Sequence, residues 1–395
     1  MGRARARRRR CGRPGRRGGR RRPLHSARSG AADRLAGRRR LARAQFRRPH
    51  RRRGTPARSA GVSVAAPPPE RPIAPGPPPT FSVVVAAYQA AATIGEALDS
   101  ALEQTVPPHE IVVCDDGSTD DLDAALAPFR ERIVLVRQEN GGEASAKNAA
   151  ARAATGEFVA ILDADDVYLP GRLEALAALA SARPDLDLLT TDAYLEVDGR
   201  VLRRVYGDDW TFEVDDQRRE IMRRNFVFGH AAVRRDRLLA AGGFDERIRF
   251  TTDWECWMRL ILGGSRAGAV LEPLARYRVR RTSLSADRTQ MTAGRVQSIR
   301  TGLEHPALRA EERETALGTL ATLERDLAVL RLHDAVRSGG TGTRRLALGI
   351  ARGRDVRPST RLKALVAALA PGLAGRLLRR RDRRVWLGAG ETTVE

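Results

Sequence analysis

Cysteine is scarce in this 395-residue chain: Cys11, Cys114 and Cys256 are too few and too scattered for a disulfide framework or a zinc site. That scarcity argues for a reducing compartment. No run of about 18 apolar residues occurs, so a membrane-spanning helix is not expected. The Arg-rich start lacks the apolar stretch that a secretory leader needs after its basic part, and the expected location is the cytoplasm. Acids are nearly missing from residues 1–79, where 25 Lys+Arg meet only Asp33 and Glu70. The rest of the chain balances at 46 basic and 46 acidic residues, so the net charge of +23 describes the tail and not the body. Nucleic acid is therefore not expected as a partner of the folded part.

Glycine-rich phosphate loops are missing as well. There is no G-x-x-x-x-G-K-[ST] loop, and Ala86-Ala87-Tyr88-Gln89 stands where a dinucleotide fold would place glycines. Asp163-Ala164-Asp165-Asp166-Val167 lacks the ligand spacing and central glycine of an EF-hand.

Composition divides what remains into three parts. Residues 1–61 are mostly Arg, Gly, Ala and Pro, and residues 62–79 continue as a Pro-rich linker. So few large apolar groups cannot offset chain entropy, and the expectation for 1–79 is disorder. Such a tail is either an arm for phosphate-bearing partners or a by-product of a reading frame whose start lies near Val62 or Val64. Residues 80–286 alternate strand-like and helix-like runs: strands at Phe81–Ala87, Glu110–Cys114, Ile133–Val136, Phe158–Leu162 and Leu186–Thr191, with helices at Ala144–Ala154 and 170–182. A further helix follows Thr93 and Glu96, which have capping-box spacing, and presents Ile94, Ala97, Leu98, Ala101 and Leu102 on one face. The pattern predicts an α/β fold, Rossmann-like, with a mostly parallel central sheet flanked by helices and ligands beyond the strands' carboxyl ends.

Residues 287–395 form a helical C-terminal region in this reading. Its segment 341–384 has 13 Lys+Arg against Asp355 and Asp382, whereas 80–340 carry about −9. Leu362, Leu365, Val366 and Leu369, then Leu373, Leu377 and Leu378 beside Arg379–Arg381, make an amphipathic basic stretch over 361–384. It fits either peripheral contact with an anionic membrane or a terminal helix docked on its own domain.

Two predicted strands end in acidic clusters, Asp115-Asp116-Gly117-Ser118 and Asp163-Ala164-Asp165-Asp166. In a parallel sheet both reach one rim, where crowded carboxylates repel unless a cation or polar ligand compensates. Oxygen-only ligands suit Mg²⁺ or Mn²⁺. Asx turns at strand ends are the bland alternative.

The chain resembles the inverting family 2 glycosyltransferases of the GT-A fold, from about Phe81 to Ser285. The resemblance rests on Ala87-Tyr88-Gln89, Asp115-Asp116-Gly117-Ser118-Thr119-Asp120, Asn140-Gly141-Gly142 with Ala146-Lys147-Asn148, and Gly156-Glu157-Phe158. It continues in Leu162-Asp163-Ala164-Asp165-Asp166, Gly242-Gly243-Phe244-Asp245-Glu246 and Asp253-Trp254-Glu255-Cys256-Trp257.

That resemblance implies a nucleotide-diphosphate-sugar donor bound around Ala87, Tyr88, Asp115, Asp116, Asp163 and Ala164, with Asp165 as metal ligand and Asp253 as catalytic base. One of Asp115 and Asp116 would hold the base, and Asp163 would lie near the ribose. Three positions depart from the usual pattern: Thr252 where an acid is common, Lys147 for Arg, and Arg280 for His. Lys147 and Arg280 are nevertheless carried over as phosphate contacts. The implied acceptor is a glycan or a lipid-linked glycan, and the implied location is cytoplasmic, peripheral on the inner membrane face. Asp253 opens an apolar pattern that predicts a helix, whose dipole should keep the carboxylate ionised. Trp254 and Trp257 stand at helical spacing and read as core, or as a platform for an acceptor sugar; His230 reads as structural or as facing the acceptor. Two other classes stay open, a sugar nucleotidyltransferase and a nucleic-acid-binding protein acting through residues 1–61.

Overall fold

The apolar run Phe81–Ala87 forms β1, buried because it lies between β2 (Glu110–Asp115) and β4 (Phe158–Ile161) and is parallel to both. Alternate residues of the pleat serve two cores. Val83 and Val85 join Ile111, Val113, Phe158 and Ala160 on one face, while Val84 joins Val112, Cys114, Val159 and Ile161 on the other. This double burial explains why these strands read as continuous apolar runs.

The computed structural model describes residues 78–207, 211–280, 287–340, 342–353 and 356–377. These fall in one unit, Pro72–Glu395. The expected disorder of 1–79 and the end of the basic stretch, from Leu378 on, lie outside the described residues except for 78 and 79.

The sheet runs β3-β2-β1-β4-β8-β6-β9-β5. Its first four strands, including β3 (Val134–Arg137), are parallel, as the alternating pattern predicts. Beyond β4, β8 (Ala232–Arg234) enters antiparallel and pairs with β6 (Leu188–Val197). β6 runs parallel to β9 (Ala267–Val279), which closes on the two-residue β5 (Val167–Tyr168); β7 (Arg200–Arg204) hangs on β6. β6 therefore continues six residues past the predicted Thr191. Pro273 sits opposite Asp192 where the β6–β9 register shifts, a proline at an irregularity that hides a 13-residue strand from pattern reading.

Helices α1 (Ile94–Leu102), α2 (Leu122–Leu126) and α4 (Arg172–Ala182) cover one face. The other face carries α3 (Glu143–Ala153), α5 (Gln217–Ile221), α6 (Arg235–Ala240), α7 (Thr252–Leu262), α8 (Arg288–Leu303) and the start of α9 (Ala310–Ser338). The capping box expected at α1 does not form: Thr93 makes no side-chain cap bond, and Glu96 instead takes both arms of Arg278 at 2.7 and 2.5 Å. A charged fork outcompetes a single backbone N–H for that carboxylate.

The C-terminal region is helical as expected, with α10 (Thr343–Arg352) and α11 (Pro358–Leu369) forming a third, smaller core with the end of α9. Among the described residues no helix is long and apolar enough to cross a membrane. Trp254 and Trp257 are core residues: Trp254 Nε1 donates to the Ile221 carbonyl at 2.8 Å, and Trp257 meets Phe244 edge-on at 6.0 Å. Trp257 is fully buried, so Trp257→Ala should lower unfolding stability by about 3–5 kcal/mol, read by denaturant titration. A loss below about 1 kcal/mol would contradict this packing.

Candidate active site

The carboxyl ends of β1, β2 and β4 deliver their following residues to one rim. At β2, Asp116 is buried and its Oδ1 accepts from Gln138 Nε2 at 2.7 Å and from the Gly141 amide at 2.8 Å, while Oδ2 accepts from the Gly142 amide at 2.9 Å. Asp115 Oδ1 accepts from the Ser118 amide, three residues on, at 2.9 Å, and Oδ2 faces Arg137 at 3.9 Å. Gly117 between them has φ +70°, and a Cβ there would stand 2.9 Å from the Asn140 nitrogen, so only glycine fits. Gln89 ties the β1 end to this turn, its Oε1 accepting from the Thr119 and Asp120 amides at 3.1 and 3.0 Å. Beside it Tyr88 keeps half its surface exposed, unusual for an aromatic ring and open to a flat partner.

After β4 the acidic loop is pinned from three directions. Lys147 on α3 reaches Asp163 Oδ1 at 2.9 Å and Glu143 at 2.5 Å. His230 Nε2 lies 2.6 Å from Asp166 Oδ2 and 3.6 Å from Asp163 Oδ2. The Arg278 amide on β9 donates to Asp166 Oδ1 at 2.6 Å. Burial works against charging the His230 ring, but Asp166 and Asp163 outweigh it and raise its pKa to about 9, making it a fixed cation at neutral pH. Burial likewise pushes the Asp163 carboxyl up, yet Lys147 and His230 hold it well below the usual carboxylate range. Asp165 is treated differently. Burial first, then the crowding of Asp166 and Asp163, raise its pKa to about 6 against the field of Arg280.

Asp253 occupies the first turn of α7, entered through Thr251 in the left-handed region at φ 60°. Asn225 Nδ2 donates to Asp253 Oδ2 at 2.9 Å, and a Cβ on Gly229 would come within 3.2 Å of the same oxygen. Helix position alone predicts a carboxylate held ionised; instead burial pushes the Asp253 carboxyl up, opposed by the Trp254 backbone amide and by the nearby charge of Lys147. Desolvation outweighs the dipole here and gives Asp253 a greater proton affinity than an ordinary surface aspartate. Asp253 also senses Glu143 and Asp163, so it shares one electrostatic neighbourhood with the acidic loop.

Ala87, Tyr88, Asp115 and Asp116 thus lie on the β1–β2 side of the rim, and Lys147, Asp163, Ala164, Asp165 and Asp253 gather around the loop after β4. Arg280, exposed past the end of β9, lines a cleft of about 480 Å³ with Glu96, Glu196, Asp198 and Arg278. His230 is buried behind the acidic loop, held by Asp166 and packed 4.7 Å from the Phe228 ring. Asn225 and Arg278 escape sequence reading because their partners, Asp253 and Glu96, are remote in sequence, whereas Glu143 stands one helical turn from Lys147, a spacing that marks it. Asn148 gave a signal beside Lys147: it bridges to the Gly242-Gly243-Phe244 turn, donating to the Phe244 carbonyl at 2.8 Å and accepting from its amide at 2.7 Å. Among the described residues, Asp163, Asp166 and His230 offer ligand atoms all within 4.8 Å of one another.

Residues 82–241 match the family described as Glycosyl transferase family 2. TuaG of Bacillus subtilis, a glycosyltransferase assigned to teichuronic acid biosynthesis, is 30% identical over 214 residues, covering 53% of this chain and 83% of TuaG. An uncharacterized glycosyltransferase of Rickettsia typhi is 28% identical over 193 residues, 46% of this chain, and the match spans 59% of that relative's length. In fold, the chain is similar to residues 1–349 of S. aureus TarS in complex with UDP-GlcNAc, with TM-score 0.52 and 19% identity over 77% of this chain and 92% of that fragment. With TuaG 30% identical and matched over 83% of its length, the chain belongs to glycosyl transferase family 2, and its mixed sheet carrying acidic loops on one rim has the GT-A fold.

Proposed function

We propose that the chain transfers a sugar, with inversion, from a nucleotide-diphosphate-sugar donor to a hydroxyl of a glycan or lipid-linked acceptor in cell-surface polysaccharide assembly. The observation that carries this is that Asp163, paired with Lys147, neighbours both Asp165 and Asp253, since it puts a donor-gripping loop and a proton acceptor in one site. The base of the donor would lie beside Tyr88 and be held by one of Asp115 and Asp116, with the ribose near Asp163. Mg²⁺ or Mn²⁺ would be held by Asp165, whose carboxyl is crowded by two other aspartates; a hard cation matches that oxygen donor set. Bound there, the cation would offset negative charge gathering on the diphosphate as it leaves.

The chain's own groups do the rest. Asp253 accepts the acceptor's proton as the acceptor oxygen bonds the anomeric carbon, and the bond from that carbon to the diphosphate oxygen breaks with its electron pair leaving on the nucleotide. Attack opposite the leaving group inverts the anomeric centre. Asn225 holds Oδ2 of Asp253 and so fixes the orientation of the carboxylate. TuaG's assignment supports a polysaccharide setting. The basic segment 361–384 supports a cytoplasmic protein resting on the inner membrane face.

The test is incubation with a panel of nucleotide-diphosphate sugars and Mn²⁺, following nucleoside diphosphate release and the anomeric configuration of the product. Release of nucleoside diphosphate with an inverted product is expected. Formation of nucleoside triphosphate and sugar 1-phosphate when pyrophosphate is added, with no nucleoside diphosphate released, would instead make the protein a nucleotidyltransferase.

A further inference from the structure

We propose that α11 is a membrane-docking helix that lays its leucine face on an anionic bilayer, a proposal that deepens the membrane-facing part of the reading above. At about 100° per residue, Leu362, Leu365, Val366 and Leu369 share an arc of about 100°, and Ala364, Ala367 and Ala368 share an equal arc on the opposite side. The alanines are the buried side, packed with Leu332 and Val336 of α9 and Ala347 and Ile350 of α10. The large side chains face water: Leu362 is 64% exposed and Leu369 80%. A helix that seats its smallest residues on the domain and leaves its leucines in solvent reverses the usual surface-helix arrangement. It therefore has a second face still to bury. Leu373 and Leu377 beyond it are exposed as well.

Charge decides what covers that face. Residues 343–377 contain eight Lys+Arg against Asp355 alone, and the sequence continues through Leu378-Arg379-Arg380-Arg381 to Trp386-Leu387. Arg361 and Lys363 stand on either flank of the leucine arc; Arg361 Nε also ties α11 to the Ala351 carbonyl at 3.0 Å. A second copy of the chain would set this cationic surface against itself. An anionic bilayer offers acyl chains to the leucines and phosphates to the cations at once.

The experiment is flotation of the full-length chain with vesicles of phosphatidylglycerol and phosphatidylcholine, compared with phosphatidylcholine alone. At least ~10-fold stronger partitioning to the anionic vesicles is expected. Because the Arg-rich residues 1–79 can also attract these vesicles, the deciding comparison is made in about 0.5 M salt, where simple charge attraction is screened. There the uncharged variant Leu362→Ser/Leu365→Ser/Leu369→Ser should lose at least ~10-fold of the remaining partitioning. Leu369→Ser alone, at the most exposed position, should move the same way by about threefold, with an unchanged melting curve. The proposal is overturned if the triple variant partitions like wild type, if wild type ignores anionic vesicles, or if the variant instead abolishes self-association. Nucleoside diphosphate release in vesicle-free solution reads the sugar-transfer reaction separately, so the two readings fail independently.

Discussion

Asp253→Asn should lower turnover by about 10²–10⁴-fold while donor affinity stays within about threefold of wild type. The amide has the carboxylate's shape and can still accept from Asn225 through its oxygen, so the loss isolates proton acceptance from packing. Initial rates at saturating donor, together with donor-induced thermal shift, separate the two quantities. Turnover that survives would remove Asp253 from the chemistry. A companion change fixes the sign of the pH dependence. Asn225 donates to the ionised carboxylate and so favours it; Asn225→Ala should raise an Asp253 pKa already pushed up by burial. A base must be deprotonated to act, so the acid limb of the rate profile should move to higher pH. A merely structural Asn225 would lower the rate equally at every pH.

Asp165→Asn should cost about several kcal/mol of barrier, seen as a turnover loss of at least ~10²-fold, and chelation of wild type should reproduce most of that loss. Further chelation should then change the variant little. The competing geometry is specific: Asp163, Asp166 and His230 form the closest cluster of ligand atoms among the described residues. If metal dependence persists in Asp165→Asn but disappears in Asp163→Asn, the cation belongs to that buried trio. Asp165 is the better ligand because in the trio His230, whose charged form Asp166 and Asp163 favour against burial, already faces the carboxylates, with Lys147 beside them.

The parts of this molecule that could be read from sequence are those whose cause is local. β1, β2 and β4 are buried on both faces, so a continuous apolar run marks each of them. The acidic loops announce themselves because they directly follow those strands. What escaped depends on partners far along the chain. Glu96 has perfect capping-box spacing, yet Arg278, 182 residues away, claims it. His230 and Asp166 are separated by 64 residues, and nothing near either predicts a buried ion pair. The amphipathic stripe of α11 was legible, but its direction was not. Periodicity locates a leucine face without saying which side the domain takes, and here alanines took it.

The pairing of β5 with β9 also bears on how this protein is made. Asp166 is anchored by the amide of Arg278, and the adjoining Val167 and Tyr168 pair with Arg276 and Ala275. A nascent chain that has not yet emerged beyond about Ala267 can assemble its early parallel strands but cannot brace this loop. Competence therefore arrives late in vectorial synthesis, and unfinished polypeptides released from the ribosome would lack a braced donor-gripping loop.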